Sequence, residues 1–361
     1  MTAVVQGIGV AKPESSISQE DAIDRSLQFC VATDQGRRLA PAIYARSGVK
    51  KRHSVLLESS TNGEPAQQSF YSLPSSSRPF GPTTGERMAA YQMSASDLAE
   101  KAALAALEES AIPRDRVSHI VLVTCSGFDA PGVDVALIQR LGLRPTTSRT
   151  SVGFMGCHGA INGMRVAKAY SDADPAAVVL LVAVELCSLH YQYDWTPERI
   201  IANALFSDGA AAAVISAGPS DGPRIASTFS EIVPDSQDAM SWKIGDHGFT
   251  MTLAPRVPEL IESSTRAPIE LWLAGEGLSL SDVADWAVHP GGPRILDAAG
   301  TALGLLPADL DVSRQVLAEC GNMSSPTVLF ILGQQRRAGR RGPCVVLGFG
   351  PGLAVEAALL V

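Results

Sequence analysis

No two cysteines in this 361-residue chain stand in a C-x-x-C spacing, and the six that occur, at 30, 125, 157, 187, 320 and 344, are scattered. The missing spacing leaves structural zinc motifs and a redox pair without support. Cations are in deficit, with 29 Lys and Arg against 37 Asp and Glu and a formal net charge of −8. A nucleic-acid binder shows a basic footprint, so that class is disfavoured, and an anionic substrate needs a local basic patch. Long apolar runs are absent as well. The longest, "AAVVLLVAV" at 176–184, is nine residues, against roughly 20 for a membrane-spanning helix. The start, "MTAVVQGIGVAKPESS", has no basic n-region, so no signal peptide is expected. A chain of this kind with scattered cysteines is expected in the reducing cytoplasm, with free thiols.

What is present is material for a large core. Apolar residues make up 46% of the chain and charged residues 18%. The length suits two domains or one large α/β unit. Strand-like runs alternate with helix-like ones, which argues for α/β layers. "HIVLVT" (119–124), "AVVLLVAV" (177–184), "GAAAAVISA" (209–217), "WAV" (286–288), "CVVLGFG" (344–350) and "GLAVEAALLV" (352–361) read as strands. The run at 177–184 is apolar on both faces, as in a covered central strand. "SASDLAEKAALAALEES" (94–110) reads as a helix. Residues 59–86, rich in Ser, Pro and Gly, read as a long surface loop. "SAGPSDGP" (216–223) marks a boundary, dividing the chain into halves 1–218 and 219–361.

Chemistry concentrates in "GFMGCHGAING", residues 153–163. The residues before Cys157 read as a strand or turn and those after it as a helix. Gly159, Ala160, Gly163 and Ala167 keep one side of that helix thin for close packing. At a helix start the free N–H groups and the dipole favour a thiolate, the nucleophilic form. A free cysteine is also often only a small buried hydrophobe. His158 is badly placed as its base, because helix neighbours point about 100° apart. His289, in "WAVHPGGP", stands at a strand end, where sites collect in α/β folds. In "CGNMSSPTVLFIL" (320–332), Ser325 and Pro326 suit the N-cap and first position of a helix. Asn322 then lies in the turn before it, where turn chemistry alone would also account for an asparagine. Together, Cys, His and Asn at element ends suit acyl transfer.

The chain resembles the type III polyketide synthases, the chalcone-synthase-like condensing enzymes of the thiolase superfamily. The resemblance rests on "VTCSGFDAPGVD" (123–134), "GFMGCHGA" (153–160), "ALFSDGAAA" (204–212), "IGDHGFTM" (244–251), "HPGGPRILD" (289–297), "GNMSS" (321–325) and "GFGPG" (348–352). It implies a five-layer αβαβα thiolase-like fold and a homodimer. It implies that Cys157 accepts the acyl group, that His289 and Asn322 are its catalytic partners, and that Phe206 shields the site. His289 would pair with the Cys157 thiolate. With Asn322 it would then hold the enolate formed when malonyl-CoA loses CO₂. The substrates implied are malonyl-CoA and an acyl-CoA starter, with no metal, nicotinamide or flavin cofactor.

The likeness is greatest to bacterial alkylpyrone and alkylresorcinol synthases. Against the plant pattern, Cys125, Cys187 and His190 replace threonines, Met251 a phenylalanine, Trp242 a glycine, and Ala130 a methionine that reaches the partner. Ser126, Ser324 and Phe349 complete the expected pocket. Cys125 also reads as a plain apolar wall residue. Glu185, after the apolar strand, is expected to be buried and hydrogen-bonded. For CoA phosphates, Arg46 matches a family cation, two others have no basic counterpart, and Arg37, Arg38, Lys50, Lys51 and Arg52 are the candidates to compensate. Arg294 is a further candidate. The run "QQRRAGRR" (334–341) reads as a helix C-terminal charge complement. Other readings are a carrier-protein-dependent ketoacyl synthase of the same fold, a malonyl-primed aromatic synthase, a cysteine hydrolase, and a silent acyl-CoA-binding relative.

Overall fold

The computed structural model describes residues 3–29, 34–58, 66–218, 222–339 and 342–361. The first part of the chain gives β1 (Ala3–Ala11), β2 (Ser16–Ser18), α1 (Gln19–Phe29), α2 (Asp34–Ala45), β3 (Lys51–His53), α3 (Thr84–Ser110), β4 (His119–Thr124) and α4 (Val133–Leu141). Then come β5 (Ser148–Gly153), α5 (Gly159–Ala173), β6 (Val178–Leu186), α6 (Pro197–Leu205) and β7 (Asp208–Ala217). The remainder gives β8 (Ile225–Ile232), β9 (Met240–Gly245), β10 (Gly248–Leu253), α7 (Val257–Ser264), α8 (Arg266–Gly275), β11 (Asp285–Val288) and α9 (Pro293–Leu303). It closes with α10 (Asp311–Cys320), α11 (Thr327–Arg337), β12 (Cys344–Gly350) and β13 (Ala354–Leu360).

Two sheets carry the fold. One has the order β1-β7-β6-β4-β5, the other β11-β12-β13-β8. Strand alternation divides their side chains between three cores. In β6, Val179, Leu181 and Ala183 face a core shared with α5, α11 and the second sheet. Val178, Leu180, Val182 and Val184 face α3 and α4. In β12, Val346 points to the shared core while Val345, Leu347 and Phe349 pack on α7, α8 and α9. The layers are therefore helix, sheet, helix, sheet, helix, the thiolase-like arrangement. A strand buried on both faces needs an unbroken apolar run, which is why 178–184 carries no polar residue.

Close approach explains the glycines of α5. A Cβ on Gly163 would stand 2.5 Å from Leu181 Cδ1, and one on Gly159 2.8 Å from Val123 Cγ1. The helix lies against the first sheet only because both lack a side chain. It thus carries the residues around Cys157 to the ends of β4 and β6.

Three expectations need correction. The helix expected at 94–110 begins ten residues earlier, at Thr84. Thr83 and Glu86 form a capping box, with the Glu86 N–H on Thr83 Oγ1 and the Thr83 N–H on the Glu86 carboxylate. The loop expected at 59–86 is therefore shorter: residues 66–83 contain no helix or strand, and 59–65 lie outside the described residues. Ser325 is not an N-cap. Pro326 occupies that position with no side-chain bond, and the Ser325 hydroxyl goes to Glu185 instead. The basic run that ends α11 does place Arg336 and Arg337 in the last turn of the helix, as expected. Arg336 donates to the carbonyls of Val5 and Gln6 and pairs with Glu109, and residues 340–341 lie outside the described residues.

Candidate active site

Cys157 does not sit on α5 itself. It lies in a short 3-10 turn, Gly156–His158, that feeds the helix. Two left-handed residues shape the approach, Phe154 at φ 56° and Gly156 at φ 76°. A Cβ on Gly156 would meet Pro351 Cδ at 2.4 Å, so the β12–β13 turn closes over this glycine. His158 turns away from the thiol, as the helix geometry implied. It is buried, with Nδ1 bonded to Asn162 Oδ1 at 2.7 Å.

His289 follows β11 and is 1% exposed. Its backbone N–H is held by Leu347 O at 2.8 Å. Neither ring nitrogen has a hydrogen-bond partner among the described residues. Asn322 sits after α10, where Gly321 at φ 73° turns the chain back. Asn322 exchanges backbone bonds with the end of α6: its N–H goes to Leu205 O and its carbonyl accepts from Ser207, both at 2.9 Å. Its Oδ1 accepts the Ser324 N–H at 2.8 Å. That bond fixes the amide, leaving the NH₂ as the end that serves the Cys157 thiol. Cys157, His289 and Asn322 line one small cavity of about 30 Å³, walled by Phe206, Met251 and Phe349.

Burial opposes charge at both groups. It pushes the Cys157 thiol up to about 11, against hydrogen bonds from Ser324 and Asn322 that lower it. It also drives His289 down to about 3, with His158 a lesser cause. An ion pair between the two has to repay the desolvation of both charges. A neutral imidazole with free nitrogens can accept the thiol proton during attack and donate an N–H afterwards.

Glu185 is fully buried on β6. It accepts from the Cys125 N–H at 2.9 Å, Ser126 Oγ at 2.7 Å and Ser325 Oγ at 2.6 Å. It thus ties the β4 turn to the Asn322 turn. Burial raises its carboxyl to about 6. Cys125 is a buried wall whose sulfur accepts the Gly156 N–H at 3.1 Å. Ser126 spends its oxygen on Glu185 and on the Leu186 N–H.

Four cavities lie in a row, each sharing wall residues with the next. The outermost, about 410 Å³, is lined by α2, α6 and the start of α9, with Arg46 and Arg294 in its wall. Leu205, Leu253, Gly291 and Ile295 also line the 30 Å³ cavity of His289 and Asn322. Cys157 stands where that cavity meets the next, about 40 Å³, which holds Cys125, Ser126, Glu185, Cys187, Trp242 and Ser324. Beyond it lies a largely apolar cavity of about 130 Å³, reached past Cys187, Phe206, Trp242 and Met251, with His190 in its far wall.

The expected CoA cations are therefore split. Arg46 and Arg294 line the outer mouth, and Arg294 also meets Glu259 at 3.5 Å. Lys50 is exposed but not in that wall. Arg52 is drawn inward, donating to Asn203 O and lying over the Tyr44 ring at 5.6 Å, and it lines the cavity beyond Trp242. Sequence reasoning missed Met240, which lines both central cavities. The signal was available: it stands two residues before Trp242, on the same face of β9.

This layered fold, with a half-buried cysteine and a buried histidine and asparagine on one cavity, defines a condensing enzyme of the thiolase type. Residues 1–219 match the chalcone and stilbene synthases, N-terminal domain, and residues 224–361 the C-terminal domain of the same family. The chain belongs to the chalcone and stilbene synthase family; it is a type III polyketide synthase, an acyltransferase that works by decarboxylative condensation. It is 32% identical to an alpha-pyrone synthesis polyketide synthase-like protein, Pks18, of Mycobacterium tuberculosis, over 99% of this chain and 90% of the relative. It is 31% identical to a 1,3,6,8-tetrahydroxynaphthalene synthase of Streptomyces peucetius, over 99% and 92%. The crystal structure of PKS-I from the brown alga Ectocarpus siliculosus superposes with a TM-score of 0.90 at 29% identity, covering 99% of this chain and 98% of that one.

Proposed function

We propose that this synthase loads a medium- or long-chain fatty acyl-CoA on Cys157, extends it with two or three malonyl units and closes the product to an alkylpyrone or alkylresorcinol. The observation that carries this reading is the apolar cavity beyond Cys157, on the side away from the Arg46 and Arg294 mouth. CoA phosphates would rest at those arginines while the acyl chain runs inward. Each buried methylene contributes about 0.8 kcal/mol before the costs of binding.

In the loading step Cys157 Sγ attacks the thioester carbonyl, His289 takes the thiol proton, and that proton leaves with the CoA thiol. Malonyl-CoA then gives up CO₂. The enolate oxygen is held by an N–H of His289 and the NH₂ of Asn322, which the Ser324 backbone orients. The enolate carbon attacks the acyl-Cys157 carbonyl and displaces the thiolate. Phe206 and Phe349 keep water from the acyl-enzyme. No step asks for a metal, nicotinamide or flavin.

A malonyl-primed synthase is the second reading. The 40 Å³ chamber at Cys157 favours it, since one water needs about 10–15 Å³ of such space and a long chain far more. Against it, no Lys or Arg lines either central cavity among the described residues, so a malonyl group kept on Cys157 would bury its carboxylate unpaired. Steady-state kcat/KM across acetyl- to palmitoyl-CoA tests the choice. A rise with chain length up to a cut-off is expected. A flat or falling series, with malonyl-CoA alone giving the main product, sinks the long-chain reading.

We also propose that the working unit is a homodimer. β5 is an edge strand, and exposed Phe128, stacked on Phe154 at 5.0 Å, stands beside the segment that holds Ala130. A free edge next to an exposed aromatic suits pairing with a second copy. Light scattering at micromolar concentration should give twice the chain mass; a monomer mass refutes it.

A further inference from the structure

The largely apolar cavity beyond Cys157 has a charged part. Three arginines enter its wall from three separate elements: Arg25 from α1, Arg52 from β3 and Arg199 from α6. No Asp or Glu lines it among the described residues. The chain carries 37 acidic side chains against 29 basic ones, so a wall with cations and no acid runs against its composition. Even the outer mouth, where the CoA phosphates would rest, has Glu198 in the same wall as Arg46 and Arg294.

These cations differ in how they are compensated. Arg199 pairs with Asp194, which is not part of the wall. Arg52 meets only neutral groups among the described residues. It donates through Nη1 to the Asn203 carbonyl, and its guanidinium lies over the Tyr44 ring at 5.6 Å. Its Nε is buried with no hydrogen-bond partner among the described residues. A guanidinium has five N–H donors, and one carbonyl leaves most of them unspent. A half-buried cation with neutral partners is costly until an anion completes it. Position decides which anion can. Cys187, Phe206, Trp242 and Met251 belong both to this cavity and to the chamber at Cys157, so they form its inner end. None of the three arginines lines that chamber. A carboxylate next to the thioester is therefore unpaired, whereas one several methylenes further along the chain comes among the arginines.

We propose that the rear cavity is a carboxylate site, with Arg52 as its centre and Arg25 and Arg199 beside it, and that the starter it selects is an acyl-CoA whose chain ends in a carboxylate, the half-thioester of a long α,ω-diacid. The apolar middle of the cavity takes the methylenes and the guanidinium groups take the far end. A carboxylate can accept two N–H bonds from one guanidinium, which suits a side chain with spare donors. Loading is unchanged: the acyl carbon passes from the CoA sulfur to Cys157 Sγ, and the far carboxylate makes and breaks no bond. The proposal narrows the fatty-acyl reading and rests on it for one thing, that the chain runs inward from Cys157.

The test measures rates of acyl-enzyme formation by intact-protein mass spectrometry with matched CoA thioesters: octanoyl against octanedioyl, decanoyl against decanedioyl, and lauroyl against dodecanedioyl. Full-length wild type, Arg52→Met, Arg52→Lys and Arg199→Met are compared. The ratio of diacid to monoacid rates within one protein cancels any general loss of activity. In wild type that ratio should reach about tenfold or more at one of the lengths, the scale of a hydrogen bond between charged groups. Arg52→Met should bring it to one or below, Arg52→Lys should keep most of it, and Arg199→Met should lower it. Should Arg52→Met fail to fold, Arg199→Met and Arg52→Lys carry the test. A wild-type ratio at or below one at every length overturns the proposal, and so does a preference that no arginine variant lowers. If monoacids load and diacids do not, the carboxylate site falls and the fatty-acyl reading stands. If diacids load and monoacids do not, the site stands and the plain fatty-acyl reading fails. If neither loads at any length, both fall.

Discussion

Cys157→Ala is expected to abolish acyl-enzyme formation from any acyl-CoA and to cut product formation more than about a thousandfold. Cleavage of malonyl-CoA to CO₂ should survive in the same variant. The two steps separate in the mechanism proposed above: there the thiol holds the starter, whereas the enolate rests on His289 and Asn322, whose supports do not include the sulfur. His289 is held through its backbone to β12, and Asn322 through backbone bonds to α6 and the Ser324 N–H. Asn322→Ala is the converse arm. It removes one oxyanion donor, so decarboxylation should fall about 10²- to 10³-fold while labelled starter still loads on Cys157. Incubation with ¹⁴C-acyl-CoA and with carboxyl-labelled malonyl-CoA reads both steps. Label bound to the Cys157→Ala protein would sink the nucleophile assignment, and equal loss of both steps in Asn322→Ala would sink the division of roles.

The second large effect concerns Glu185 and stability. Its folded carboxyl is raised by burial from 4.5 to about 6. A raised carboxylate means that the folded state binds the proton more tightly than the unfolded chain. Its contribution is therefore fully present below about pH 4.5 and is lost as the pH rises to about 6. At about 1.4 kcal/mol per unit, the loss across that window is about 2 kcal/mol. Asp208, also buried and raised to about 6 from 3.8, adds to the same slope. Glu185→Gln removes one titration but keeps an amide able to serve the Cys125 N–H and the serines. Its unfolding free energy in urea should fall less between pH 4.5 and 6.5, by about 2 kcal/mol. An identical slope in wild type and variant would show that Glu185 does not titrate there. Glu185→Ala is the harsher case: it strands the Cys125 N–H and two hydroxyls, at about 1–3 kcal/mol for each group left unsatisfied.

That network also shows where sequence reasoning stops. The need of Glu185 for partners followed from a carboxylate at the end of an apolar strand. Which partners it has did not, because Ser325 lies 140 residues away and reads locally as a helix cap. Locally, the cap would satisfy an N–H that water can also serve. In the fold, the buried carboxylate has no water to turn to, and the hydroxyl goes there.

The sequence by itself determined the strand and helix alternation, the covered central strands and the thin face of α5, which follow from periodicity and small-residue spacing. It also named Cys157, His289 and Asn322 through a family resemblance, and the structure brings all three to one cavity. Tertiary structure decided the rest. It placed Arg52 behind the site rather than at its mouth, because Asn203 O and the Tyr44 ring hold the guanidinium there. It set the burial that opposes charge on Cys157 and on His289, since desolvation depends on depth and not on neighbours in the chain. It also made Trp242 a wall between two cavities. A sequence gives the size of that side chain, but only the packing of β9 against the Cys125 carbonyl, His190 and Phe249 fixes which space it closes.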